Sequence, residues 1–400
     1  MRPLLSKLDR ISHRLFNRSY GWTGLEIGCH AIHMAQVRKI DDRWEMAAVW
    51  MIEHPAPYVM KIALPSAAEP PESSLECKES FGWLAGDAIC ECGLGGTLEQ
   101  LENLDYLFHG SQCAATLTDG MIAYRELDLP LCEPSETKSM ILSEIAIETE
   151  CDVEELLTEC WVLPQNRPRT NTTSYGAVSL KRSTAMLLAG DLLQAGLECQ
   201  SLDAVPCAMT RATSMVVRDS SVATLAIDLG YQQSTITLVQ NGQPVLSRAL
   251  RNLGLIQLLE QIAVSFEISV SDAQTLLFQS PSSDGLSKET DGFSDLLQQK
   301  LNGYLHTLSN EIDKTIHYAN RSYRTMSPDL ILLMGAGVRI PAVDQAIEDR
   351  IGLTTQCWMI DVSENLFGNQ HIATFAIAAG LSALAWETIR CMSICCLPPL

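Results

Sequence analysis

Two short stretches of the sequence place an acidic residue, one apolar residue and a glycine at the end of an apolar run. They are Glu26-Ile-Gly28 near the N-terminus and Asp228-Leu-Gly230 in the second half of the chain. A carboxylate at a strand end can hold the water shell of Mg²⁺, and glycine lets a backbone present N–H donors to phosphate. Ser234 follows the second copy and could donate to a phosphate oxygen. An isolated match is more often a surface turn, but the pairing predicts a nucleotide site in which Asp228 reaches the metal through water.

Each of these turns lies inside the same predicted strand–turn–strand pattern. In the second copy, residues 223–230 and 234–240 alternate as strands do, and Asn241-Gly242 then gives a strong two-residue hairpin signal before a third strand over 245–250. The first copy repeats this order over residues 22–28, 32–40 and 43–49, with Asp41-Asp42 at the hairpin tip. The repeat predicts an internal duplication, with two hairpins facing each other across a cleft.

A third glycine-rich turn occurs near the C-terminus. Residues 329–334 predict an apolar strand that runs into Gly335-Ala-Gly337, and a helix is expected over 343–351. A strand that meets a glycine-rich turn at the start of a helix can contact a phosphate or a sugar. The alternative is a tight strand-to-helix connection with no ligand.

The composition excludes some classes of protein. The net charge is −20, so we do not expect the chain to wrap nucleic acid, which needs a positive face. No apolar run reaches the roughly 18 residues that a membrane span needs, and no signal peptide is evident. The 14 cysteines show no zinc spacing and are interpreted as small buried side chains in a reducing cytosol. His30 and His33 would point to opposite faces of a strand, so a metal site there is discounted.

The first 20 residues differ from the rest of the chain. Five basic side chains accompany a single acid, and the apolar residues fall on one helical face. A basic amphipathic helix can lie on an anionic membrane or dock on a partner, and packing on its own domain is the equal alternative.

The middle of the first half predicts a separate unit. Residues 113–196 read as a β-β-α-β-β-α block of α+β type, inserted into a first lobe made of residues 21–112 and 197–220. Residues 221–400 form the second lobe, with a helical subdomain over about 253–326. The fold class is therefore α/β with two lobes and one inserted subdomain.

The order of these features resembles the PilM family of type IV pilus assembly proteins, actin-like relatives of the cell-division protein FtsA. The resemblance covers nearly all of residues 21–390. The matching segments are Gly24 to Gly28, Leu129-Pro130 with the Glu-rich helix 135–150, Val153-Glu-Glu155, Ala195 to Leu197 with Leu202-Asp203, Ile227 to Gly230, Asn241-Gly242 with Ser247-Arg248, Gly335 to Pro341, and Ala378 to Leu381.

The resemblance implies an actin-like (ribonuclease H-like) two-lobed ATPase fold with an FtsA-type inserted subdomain. It also implies a cytoplasmic scaffold, peripheral to the inner membrane, that grips the cytoplasmic tail of a PilN-like membrane protein in a pilus, type II secretion or DNA-uptake machine. Binding to other pilus platform proteins and self-association are further interactions that the resemblance allows. On this basis the candidate tail contacts are Met121, Tyr124, Met140 and Glu144.

Departures from the family pattern indicate a weakened nucleotide site. The first turn carries Glu26 where the family has Asp, and Cys29-His-Ala31 replaces a hydroxyl-rich turn. The charged ribose-contacting pattern becomes Ala273-Gln-Thr-Leu-Leu277, and only Asp228, Gly230 and Ser234 are well kept. Each lost charge-assisted contact is worth about 1.5–3 kcal/mol, so binding of ATP and Mg²⁺ is expected to be weak or lost.

Three functions remain as alternatives. The first is a non-enzymatic PilM-like scaffold with a degraded nucleotide site, and the second is an ATP-binding conformational switch of the same family. The third is a sugar- or acetate-kinase-type phosphotransferase, for which no catalytic carboxylate can be located in the sequence. We rank them in that order.

Overall fold

The computed structural model describes residues 20–54, 107–117, 121–163, 172–279, 292–323, 327–363 and 371–387. The basic amphipathic helix expected over residues 1–20 lies outside these ranges, except for Tyr20. No helix in the described ranges is long and apolar enough to cross a bilayer.

The chain begins with an antiparallel hairpin unit. Its strands are β1 (Thr23–Ile27), β2 (Ala31–Ile40) and β3 (Arg43–Glu53). Asp41 and Asp42 both have positive φ (46° and 62°), the conformation that a tight two-residue hairpin needs to match the strand twist. Strand β4 (Gln112–Leu117) then pairs parallel to β1. It therefore lies in the first sheet, although its residues from 113 onward were assigned from the sequence to the inserted unit.

A three-stranded antiparallel sheet follows, in the order β5-β7-β6. The elements of this inserted unit are β5 (Ala123–Pro130), α1 (Pro134–Thr149), β6 (Leu156–Val162), β7 (Thr172–Lys181) and α2 (Arg182–Gln194). One face of the sheet packs on α1, where Ile141 and Ile145 are fully buried. The other face, which includes Val178 and Leu180, packs with α2 and the first sheet. Alternation along each strand gives both faces an apolar layer.

The chain then returns to the first lobe. Strand β8 (Glu198–Leu202) pairs parallel to β4, and α3 (Val205–Val216) follows it. Nine of the twelve residues of α3 are buried, because the helix is covered on both sides. Its position between the two sheets makes it part of the main hydrophobic core.

The second lobe repeats the topology of the first. Its elements are β9 (Thr224–Asp228), β10 (Ser234–Gln240), β11 (Gln243–Leu250), α4 (Leu255–Phe266), α5 (Val270–Gln279), α6 (Gly292–Ser322), β12 (Leu330–Met334), α7 (Val343–Ile351) and β13 (Thr355–Cys357). Its strand order, β11-β10-β9-β12-β13, matches β3-β2-β1-β4-β8 in the first sheet. Asn241 and Gly242 both have positive φ (53° and 70°), as the hairpin signal predicts.

The C-terminal part of the described chain packs back on the first lobe. Strand β14 (Asp361–Val362) pairs with β3, and helix α8 (Ala376–Ser382) packs against β1, β2 and α3. A Cβ at Gly24 would lie 1.9 Å from the Ala378 carbonyl oxygen, and one at Gly380 would lie 2.1 Å from that of Ala208. These two glycines let α8 lie directly on its neighbours. The segment assigned by sequence to the second lobe therefore includes pieces that hold the two lobes together.

Candidate functional site

The two predicted turns face each other and are in direct contact. The ring of His30, in the first turn, stacks on Tyr231 in the second, with ring centroids 4.3 Å apart and 12° between the planes. The thiol of Cys29 donates to the amide oxygen of Gln232 at 3.3 Å. The prediction that Gly28 and Gly230 border one cleft agrees with this geometry, since both line the same cavity.

The cavity between the turns is small. Its free volume is about 70 Å³, which is enough to hold ordered water. The charged residues of its wall are three acids, Glu26, Glu53 and Asp228, and one guanidinium, Arg339. Acidic side chains therefore outnumber Lys and Arg side chains on the cavity wall.

Two carboxylates from opposite lobes are buried at the bottom of the cleft. Glu26 lies at the end of β1 and Asp228 at the end of β9, and they are 7% and 5% exposed. Burial and then the charge of Asp228 raise the pKa of Glu26 well above its usual value. Burial also raises the pKa of Asp228 to about 7. Both shifts favour the protonated form of the pair.

His33 stands beside the acid pair in its neutral form. Burial and then the neighbouring His30 lower the pKa of His33 to about 4. Its Nδ1 is 3.6 Å from Oε2 of Glu26, which is too long for a hydrogen bond. A metal site at His30 and His33 was discounted from the sequence, because the two side chains would point to opposite faces of one strand. The structure places both on the cavity wall, because His30 precedes the first residue of β2. No group of three metal-ligating side chains forms among the described residues.

Four buried polar atoms of the cavity wall have no partner within the protein. They are Oε2 of Glu26, Nδ1 of His33, Oδ1 of Asp228 and Oγ1 of Thr374. Buried polar groups are normally hydrogen-bonded, and a cavity of this size and polarity is suited to ordered water. The cleft between the lobes is therefore lined by buried polar groups that ordered water could satisfy.

The glycines of the third predicted turn serve the packing around Asp228. Gly335 has φ of +89°, and a Cβ there would lie 2.1 Å from Oδ1 of Asp228. A Cβ at Gly337 would lie 2.7 Å from the Cβ of Leu229, and its N–H donates to the Leu229 carbonyl at 2.7 Å. Both glycines let the β12 turn approach β9, which corresponds to the tight-connection alternative. Gly335 and Gly337 are absent from the cavity wall, whereas Ala336 and Arg339 contribute to it.

Ser234 does not face the cavity. Its hydroxyl donates to the carbonyl oxygen of Leu253, and the residue is fully buried. The Tyr304 hydroxyl donates to the same carbonyl at 3.4 Å. In this conformation Ser234 fixes the start of β10 and has no hydroxyl proton to offer a phosphate.

The contents of the cleft bear on whether a nucleoside triphosphate could bind there. The His30–Tyr231 stack lies between the two turns, and both rings line the cavity. Mg²⁺ would meet Asp228 and Glu26, but the phosphates would add negative charge to a wall with three acids and one cation. The turns keep the acid–glycine order of a phosphate site, and Arg339 is the one Lys or Arg side chain on the described cavity wall.

The four candidate tail contacts are split between two faces of the inserted sheet. Met121 and Tyr124 pack with the core shared with the first lobe, whereas Met140 packs with the α1 layer on the opposite face. The Tyr124 hydroxyl donates to the Pro244 carbonyl at 3.3 Å, so it already contacts the second lobe. Glu144 is exposed on α1. One continuous groove does not join these four residues.

A contact between the inserted unit and the second lobe was not predicted from the sequence. On β5, the carboxylate of Glu126 accepts hydrogen bonds from the Tyr323 hydroxyl at 2.9 Å and the Ser247 backbone N–H at 3.3 Å. Burial raises the pKa of Glu126 to about 6, although both hydrogen bonds oppose that shift. The sequence offers one signal for this contact: alternation along β5 places Glu126 on the same face as Tyr124. Its partners lie in distant segments and could not be identified from sequence.

Comparison with solved structures identifies the fold. The chain is similar to a structure titled as the PilM-PilN type IV pilus biogenesis complex, with TM-score 0.68 and 16% identity, over 92% of this chain and 99% of that chain. It is also similar to the ethanolamine utilization protein EutJ of Carboxydothermus hydrogenoformans, with TM-score 0.50 and 11% identity, over 92% and 90% of the two chains. No protein-family model and no curated protein matches the sequence.

These likenesses show the fold. The expected actin-like α/β fold with an inserted subdomain is confirmed, and so is the expected resemblance to PilM at the level of structure. At 16% identity the likeness does not by itself carry over ligands or partners.

Proposed function

We propose that the chain is a cytoplasmic, PilM-like scaffold at the inner face of the inner membrane, which holds the cytoplasmic tail of a PilN-like membrane protein. The supporting observation is the match in fold along nearly the whole length of a protein whose structure is titled as a complex with PilN. A type IV pilus is the first choice of machine, with type II secretion and DNA uptake as the others. Contact of residues 1–20 with membrane and self-association stay predictions.

Contacts between the two turns of the cleft support the proposal that nucleotide is not the main ligand. Stacking of His30 on Tyr231 and the Cys29–Gln232 hydrogen bond join the two turns directly. Burial raises the pKa of both Glu26 and Asp228, and no phosphate-binding lysine lines the described cavity. The protein is therefore proposed to be a non-enzymatic scaffold with a reduced ATP site.

A binding measurement tests the nucleotide part. We expect a fluorescent ATP analogue with Mg²⁺ to show no saturable binding at micromolar concentration, because the stack blocks the cleft and the wall is acidic. Micromolar affinity would favour the second candidate, an ATP-binding switch, which the retained acid–glycine turns support. A phosphotransferase would need space for a second substrate. We therefore expect an assay with sugars and acetate as acceptors to detect no phosphorylated product.

The proposed tail contacts need the inserted subdomain. Met140 is half-buried and Glu144 exposed on α1, so both can meet a partner as the structure stands. Met121 and Tyr124 would join only if the subdomain moved away from the second lobe, since Tyr124 contacts Pro244. An exposed acidic helix with an apolar edge is suited to a tail that combines basic and apolar residues.

The tail proposal is tested with a labelled peptide that copies the N-terminal cytoplasmic tail of a PilN-like single-span membrane protein. We expect fluorescence anisotropy to show saturable binding, and Glu144→Lys to weaken it about tenfold by reversing one rim charge. The matched control is Glu260→Lys on α4, an exposed helix position of the second lobe. Equal effects of the two changes would refute the placement on α1, and absence of binding would refute the tail proposal.

A further inference from the structure

Two cysteines lie side by side at the base of the inserted subdomain. Cys113 on β4 and Cys199 on β8 are register partners in neighbouring parallel strands. Strand β4 is the last strand of the first lobe before the inserted unit, and β8 is the first strand after it. The pair therefore sits where the chain leaves the first lobe and where it returns.

The backbone spacing suits a disulfide. Neighbouring strands lie about 4.8 Å apart, and disulfides join Cα atoms about 4.4–6.8 Å apart. Both side chains belong to the same hydrophobic cluster, so they point to the same face of the sheet. A register shift between Cys113 and Ala114 marks a β-bulge beside the pair, where the strand can adjust its local twist.

The two thiols are close enough to shift each other's pKa, and they differ in their surroundings. Cys113 is fully buried, whereas Cys199 is half-buried. The hydrogen bond from the Cys113 thiol lowers the pKa of Cys199, and the same hydrogen bond together with burial raises the pKa of Cys113. Since the thiolate is the nucleophile, Cys199 is the first to react and Cys113 is placed to follow.

We propose that Cys113 and Cys199 form a reversible intramolecular disulfide when the protein meets a hydroperoxide. The Cys199 sulfur attacks the peroxide, an S–O bond forms as the O–O bond breaks, and with hydrogen peroxide one water leaves. The Cys113 sulfur then attacks the sulfenic acid, an S–S bond forms as the S–O bond breaks, and a second water leaves. Two thiols lose two electrons and two protons, and one hydrogen peroxide becomes two waters. A small-molecule thiol reverses the reaction by exchange.

The bond would close the inserted subdomain into a covalent loop. The two strands that carry it are already paired, so the native fold needs little change. The loop of roughly 85 residues restricts the unfolded chain, so the oxidised protein should unfold at a higher temperature than the reduced one. The oxidised form is thus a locked version of the junction between insert and first lobe.

The test is disulfide mapping on the full chain. The protein is treated with increasing hydrogen peroxide, quenched with an alkylating reagent, digested without reduction and analysed by mass spectrometry. We expect a Cys113–Cys199 linked peptide as the first disulfide to appear and its loss on treatment with dithiothreitol. A first disulfide between other cysteines, or a pair still reduced after other cysteines have oxidised, would overturn the proposal.

Single variants test the order of events. In Cys113→Ser, the sulfenic acid at Cys199 should persist and react with a 1,3-dione probe, whereas Cys199→Ser should show no sulfenic acid at Cys113. The matched control is Cys357→Ser, since that thiol is also half-buried but lies in the second sheet. It should leave the linked peptide and the rise in melting temperature unchanged. If a variant fails to fold, the mapping of the unaltered chain still decides.

Discussion

The carboxyl group of Glu126 offers a sharp test of how the inserted subdomain is held. Its two hydrogen bonds, from Tyr323 and the Ser247 N–H, join β5 to the second lobe. Burial at this junction raises the pKa of Glu126 to about 6 from the ordinary value of 4.5. The folded protein therefore holds the proton of Glu126 more tightly than the unfolded chain does.

The size and sign of the effect follow from this shift. The rise in the pKa of Glu126 from 4.5 to about 6 corresponds to about 2 kcal/mol of folding free energy that depends on the proton. The contribution is fully present below about pH 4.5 and is lost as the pH rises through about 6. Glu126→Gln removes the titration, so the stability of the variant relative to the unaltered protein should rise by about 2 kcal/mol between pH 4.5 and pH 7.

The assay is urea unfolding at several pH values, compared between the unaltered protein and the variant. Glu144→Gln, an exposed change on α1, should give a profile parallel to that of the unaltered protein. Tyr323→Phe removes a donor to the carboxylate, so it should cost more at pH 7 than at pH 4.5, the opposite sign to Glu126→Gln. Parallel profiles for Glu126→Gln and the unaltered protein would refute the reasoning.

Three further predictions concern the cleft. Gly335→Ala should destabilise by about 3 kcal/mol or more in thermal unfolding, because it adds a clash to a left-handed backbone, whereas Gly352→Ala, with positive φ and open space, should cost about 1–2 kcal/mol. Equal losses would contradict this. Glu26→Gln should stabilise the protein more at pH 8 than at pH 5, since it removes a buried acid whose pKa is raised by burial and by Asp228, and a change in stability that does not depend on pH would count against the paired-acid interpretation. A double-mutant cycle of His30→Ala and Tyr231→Ala should give a coupling of about 0.5–1.5 kcal/mol, and additive losses would show that the stack contributes nothing.

Local signals accounted for much of the fold. The Asn241-Gly242 hairpin has the positive φ values that its residue types favour, and β10 matches its predicted span from Ser234 to Gln240. Repetition of the acid–glycine turn predicted two facing hairpins, and both line one cavity. These features depend on neighbouring residues and on the two-residue alternation of strands, and both can be recognised in the sequence alone.

The tertiary structure decided what those turns contain. The sequence could not show that His30 stacks on Tyr231, that Ser234 donates to a backbone carbonyl, or that α8 returns to the first lobe. It also could not show that Cys113 lies beside Cys199. Each of these depends on which distant segments are packed together, and on the burial that follows. The sequence thus determined the strands and turns of the cleft, whereas packing decided that its two turns touch through His30 and Tyr231 and that buried acids line the cavity between them.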